Sequence, residues 1–110
     1  MEVKSVVQDG ISLLTPVGRV DTSTAKAFED AVMKVAATST KIAIRFNEID
    51  YISSAGLRVV LMLGKKLTAA HGTLALTDMP EKIFEVFKMS GFNKILKIFP
   101  TFEESKSIFN

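Results

Sequence analysis

The spacing of apolar residues divides the chain into extended and helical segments. Residues 2–8 and 11–17 read as two extended runs, and Asp9-Gly10 between them favours the positive φ of a two-residue hairpin turn. Gly18-Arg19-Val20 leads to Asp21-Thr22-Ser23-Thr24, a cluster of helix-capping residues. Ala25, Phe28, Val32, Val35 and Ala36 then recur at the spacing of one helical face. Lys41 to Phe46 is β-branched and alternating, with Ile42, Ile44 and Phe46 on one side of a strand. The chain is expected to turn through Asn47 to Tyr51. Leu57, Val60, Leu61, Gly64 and Leu67 mark the longest helix, which starts at Ser53-Ser54 and stops at His71-Gly72. Thr73 to Thr77 is a short strand. Pro80 suits the first turn of a helix carrying Ile83, Val86 and Phe87, which Ser90-Gly91 ends. Lys94 to Phe99 reads as a last extended segment, and Thr101-Phe-Glu-Glu104 has the spacing of a capping box for a final helix.

The order β-β-α-β-α-β-α-β-α is the alternation of an α/β fold, a sheet of roughly four to five strands with about four helices packed against it. No linker or repeat interrupts the 110 residues, so residues 1–110 are expected to form a single domain. With 47% hydrophobic and 24% charged residues, disorder is excluded. The absence of cysteine removes disulfides, thiolate metal sites and cysteine nucleophiles, and suits a cytoplasmic protein. The N-terminus lacks a basic then apolar leader, and no apolar run approaches the ~20 residues of a spanning helix, so no membrane partner is expected. A net charge of +2 neutralises little phosphate, and Lys82, Lys88, Lys94 and Lys97 read as a solvated face, so no nucleic acid is expected.

Enzymatic readings fail on inventory. Ser54-Ala55-Gly56 resembles the back half of a nucleophile elbow, but Ile52 stands where the first glycine is needed. His71, the one histidine, lies 17 residues along the same predicted helix from Ser54, about 25 Å away, too far to take its proton. Gly64-Lys65-Lys66 lies within a helix and is no phosphate loop. One histidine and scattered carboxylates give no metal site by spacing, and no cofactor is expected. Phe84, Phe87, Met89 and Phe92 offer a partner groove, although a stripe at helical spacing more often belongs to a core.

What remains is the helix start at Ser53-Ser54. A serine there can simply cap an orphan amide. The same position also suits a regulatory phosphate, because first-turn amides and the helix dipole accommodate added negative charge without unfolding the chain. Such a charge on an exposed tip would end the docking of an apolar or acidic partner surface.

At this segment the sequence resembles the stand-alone STAS domains, the bacterial anti-sigma-factor antagonists. Ile49-Asp50-Tyr51-Ile52-Ser53-Ser54-Ala55-Gly56-Leu57 is similar to the family's strand-to-helix signature, an aromatic and an aliphatic residue, then usually Asp-Ser-Ser/Thr-Gly-Leu. Gly18-Arg19-Val20-Asp21 and Ser90-Gly91-Phe92 resemble two further family segments in the right order. The resemblance implies a STAS-like mixed sheet and a non-enzymatic, protein-binding function. The unmodified protein would bind an anti-sigma factor that is also a GHKL-type serine kinase, releasing the sigma factor. Phosphorylation would end the binding, and a metal-dependent serine phosphatase would restore it. By position the phosphoacceptor is Ser54, with Ser53 the less favoured hydroxyl. Asp21, Ser53, Ser54, Gly56 and Leu57 would form the partner surface, although Asp21 is more simply a helix cap. Ser53 stands where the family usually has Asp, and Ala55 replaces its second hydroxyl residue. The alternative is a STAS scaffold or transport-accessory subunit that is never phosphorylated.

Overall fold

The structure, a computed structural model, describes residues 1–109. Strands β1 (Glu2–Gln8) and β2 (Ile11–Val20) form the antiparallel hairpin expected at Asp9-Gly10, and both turn residues take positive φ, 55° and 78°. Helix α1 (Ala25–Ala36) follows, then β3 (Lys41–Arg45), β4 (Ile49–Ile52), α2 (Ser54–Ala69), β5 (Thr73–Thr77), α3 (Glu81–Met89), β6 (Ile98–Phe99) and α4 (Phe102–Ser105). The sheet runs β1-β2-β3-β5-β6, with β4 also paired to β2. All pairings but the first hairpin are parallel, so the sheet is mixed, as expected of the α/β class.

Two expectations need correction. The segment read as a turn through Tyr51 contains β4, which makes six strands among the described residues. β2 is long enough to pair with β3 along Ser12–Leu14 and with β4 along Gly18–Val20, with a register shift between Gly18 and Arg19. The run from Lys94 to Phe99 is extended only at Ile98–Phe99. Gly91, at φ 81°, turns the chain into a single 3-10 turn over Phe92–Lys94 first.

The sheet is covered on both faces. Leu14, Ile42, Ile44, Phe46 and Leu76 belong to the main core with Phe28 and Val32 of α1, Val60 and Leu63 of α2, and Ile83 and Phe87 of α3. On the opposite face Ile11, Leu13, Ala43 and Ala75 pack with Phe102 and Phe109. Burial on both faces explains why Ile11 to Pro16 is buried without interruption instead of alternating. Thr101 caps α4 as its spacing implies, its Oγ1 accepting the Glu104 N–H at 3.1 Å. Phe87 is fully buried, edge-on to Phe46 at 5.7 Å, whereas Met89 is 84% exposed, so the phenylalanine–methionine stripe is not a continuous groove.

At the far end of α2 the stop is built differently from the usual glycine cap. His71 takes the left-handed conformation at φ 59°. Gly72 is required for a separate reason: a Cβ there would collide with the Thr40 carbonyl oxygen.

Candidate functional site

The site is the junction where β2 and β4 end and α2 begins. The Ser53 N–H donates to the Val20 carbonyl at 2.8 Å, so the residue before α2 is held in register with the end of β2. Gly56 makes the close approach of helix and strand possible. A Cβ on it would lie 2.7 Å from Val20 Cγ1 and 2.8 Å from Ile52 Cγ1, inside any tolerable contact. Leu57, Val60 and Leu63 bury one face of α2 in the core, leaving the opposite face to solvent.

This packing divides the two serines. Ser53 is the N-cap, with extended backbone at φ −91° and ψ 174°, and its Oγ accepts the Gly56 N–H at 3.4 Å. Ser54 is the first helical residue and is exposed. Among the described residues none is hydrogen-bonded to its hydroxyl. The chain therefore presents one serine engaged in the cap and one directed to solvent, at the end of a 16-residue helix where amide groups and the dipole favour negative charge.

Asp21 sits on the loop that continues from Val20 and organises the entry to α1. Its Oδ1 accepts the Ser23 hydroxyl at 2.7 Å, the Ser23 N–H at 3.0 Å and the Thr24 N–H at 3.2 Å. The Ser23 hydroxyl chiefly, with the Ser23 and Thr24 amides, holds this carboxyl below its ordinary range against a smaller opposing effect of desolvation. Arg19 lies 3.7 Å from Asp21 Oδ2 and stacks over the Tyr51 ring at 4.4 Å, across the β2–β4 pairing. Asp21 thus holds the turn that precedes α1, whose N-cap residue is Thr24 and not Asp21 as expected, and its carboxylate remains partly at the surface.

Of the residues expected at a partner surface, Ser54 is exposed and Ser53 and Asp21 are half-buried. Gly56 and Leu57, expected at the same surface, are buried, Leu57 being 5% exposed, and they hold the tip in place from beneath. Sequence reasoning missed Arg58, which is exposed one turn after Ser54 on the same face of α2 and has no ion pair among the described residues. It also missed the Arg19–Tyr51 stack. The i, i+4 spacing was the signal available for Arg58; Arg19 and Tyr51 meet only because β4 exists. Among the described residues no group of three or more histidine, aspartate or glutamate side chains is arranged to hold a metal ion. No described helix is long and apolar enough to cross a membrane.

Known proteins share this fold. A family model described as STAS domain matches residues 2–105. BtrV of Bordetella bronchiseptica, provisionally described as an anti-sigma factor antagonist, is 37% identical over 93 residues, which span 84% of this chain and 78% of BtrV. Among solved structures, a Thermotoga maritima protein with the same provisional description superposes with a TM-score of 0.89 at 22% identity, covering 96% of this chain and 92% of that one. The phosphorylated form of the Bacillus cell-fate determinant SpoIIAA superposes with a TM-score of 0.71 at 19% identity, covering 96% of this chain and 97% of its own. At such identities the two structures speak to the fold.

Proposed function

The chain belongs to the STAS domain family, and from that premise we propose that it is an anti-sigma factor antagonist whose exposed α2 tip binds an anti-sigma factor and is switched off by a phosphate on Ser54. The antagonist function is supported by the BtrV homologue. The partner in this reading is an anti-sigma factor that is also a GHKL-type serine kinase. A metal-dependent serine phosphatase resets the protein.

The observation that carries the reading is the division of labour between Ser53 and Ser54. Because Ser53 supplies the cap, the Ser54 hydroxyl can be modified without removing a bond that holds the helix. A phosphoserine at the first helical position adds about −1.5 to −2 charges where first-turn amides and the dipole receive them. The same charge, placed on the tip, faces a docked partner with repulsion and desolvation it did not previously meet. The fold stays and the tip becomes more negative.

The alternative, a STAS scaffold or transport-accessory subunit that is never phosphorylated, is favoured by one feature, Ser53 at the position where the family usually has Asp. Both readings are tested on the chain isolated from its native cells, with phosphatases inhibited. Trypsin releases residues 46–58, whose hydroxyls are Tyr51, Ser53 and Ser54. Fragment ions that place phosphate on Ser54 are expected. Phosphate on Ser53 alone, or none under any growth condition, overturns the switch reading.

A further inference from the structure

A second concavity lies away from the α2 tip, between the C-terminal half of α2, the start of β5 and the segment leading to β6, with a volume of about 510 Å³. Its apolar surface comes from Leu61, Leu74 and Leu96, with the exposed Ile95 at its edge. Gly64 keeps it open: a Cβ there would already stand 3.3 Å from Leu96 Cδ2. The volume is within the range of small-molecule sites.

The charges around this groove are of one sign. Lys65 and Lys97 line it, both exposed and neither paired with a carboxylate among the described residues, and no aspartate or glutamate is among the lining side chains. At the last turn of α2 the Leu67 carbonyl accepts the Ala70 and Gly72 amides, so it is the lysine side chains that must outweigh the negative end of the helix dipole for an anion to bind. An apolar floor with an unpaired cationic rim is complementary to a molecule with a hydrocarbon body and an anionic head. An uncharged apolar ligand would leave the lysines unused, and a cationic one would be repelled.

We propose that this groove binds a small anionic amphiphile, a straight-chain carboxylate whose hydrocarbon rests on Leu61, Leu74 and Leu96 and whose head is met by Lys65 and Lys97. The site is separate from Ser54 and stands whether or not Ser54 is phosphorylated.

The test is titration of octanoate, octanol and octylammonium into the full, nitrogen-15-labelled chain, followed by backbone amide shifts. Octanoate should give saturable shifts confined to residues 61–74 and 95–97, with octanol and octylammonium binding at least about tenfold more weakly. The double variant Lys65→Glu, Lys97→Glu should weaken octanoate about tenfold or more while amides elsewhere keep their positions, since both side chains are solvent-exposed. Equal binding of octanoate and octanol, shifts scattered over the chain, or no saturation would overturn the proposal. Saturable binding of a capped Glu-Leu-Glu-Leu peptide with no response to octanoate would also overturn it, and would assign the groove to an acidic protein segment.

Discussion

Ser53 donates its backbone N–H to the Val20 carbonyl oxygen at 2.8 Å, which ties the residue capping α2 to the last residue of β2. One peptide unit further along each chain segment lie Ser54 and Asp21. The bond therefore sets the exposed serine and the α1 loop at the same end of the sheet, with Gly56 packed underneath.

At the α2 tip, packing leaves no room for a side chain on Gly56. Gly56→Ala forces its new Cβ against Val20 and Ile52, both buried and short-branched, at a cost of about 1–3 kcal/mol. Helix propensity returns up to about 1 kcal/mol. Urea unfolding should show a net loss of stability, and a variant as stable as the wild type would refute the close-packing account.

The two serines should separate in stability measurements. Ser53→Ala removes the cap and should cost about 0.5–1 kcal/mol, the low end of the usual range because the Oγ to Gly56 N–H distance is 3.4 Å. Ser54→Ala should fall within about 0.5 kcal/mol of wild type. The reverse ranking in urea midpoints would make Ser54 the structural serine.

Asp21 should give the chain an acid-sensitive component of stability. Its folded pKa is lowered below the ordinary 3.8, chiefly by the Ser23 hydroxyl. Stability from this group is thus fully present above pH 3.8 and is lost as pH falls through the folded value. Asp21→Asn cannot titrate. The wild-type advantage over this variant in urea midpoint should therefore be constant above about pH 5 and shrink below pH 3.8. An advantage independent of pH would show that the carboxylate charge is not what the Ser23 and Thr24 donors recognise.

Arg58 should matter to binding and not to folding. Exposed and without an ion pair, it tolerates Arg58→Glu within about 0.5 kcal/mol of stability. Placed on the Ser54 face of α2, the substitution should weaken capture of the anti-sigma factor about tenfold or more. Undiminished capture would remove Arg58 from the partner surface.

The helices and three of the parallel strands were legible in the sequence because their periods are long and their ends carry Asp9-Gly10, Thr101 and His71-Gly72. β4 was not, and the reason is physical. Its four residues read buried, exposed, exposed, buried, since it joins β2 beyond a register shift at Gly18/Arg19 and never shows strand alternation. The segment before β6 misled in the opposite sense: Ile95 and Leu96 look like strand, but Gly91 and the 3-10 turn at Phe92–Lys94 intervene. At the site, capping residues at Ser53-Ser54 were visible, but which serine caps is decided by the Val20 bond and by how deeply Gly56 seats, both long-range contacts. For the same reason Gly56 and Leu57, grouped with the surface by motif, prove to be buried.

The most direct measurement of the switch is affinity capture from native lysate with three baits in parallel: wild type, Ser54→Asp, and the chain carrying phosphoserine at position 54. All three should have the same far-ultraviolet circular dichroism, and wild type alone should retain a GHKL-type serine kinase identified by mass spectrometry. Equal retention of that kinase by the phosphorylated bait would contradict Ser54 as the switch, and loss of fold in either modified bait would show that the serine is structural.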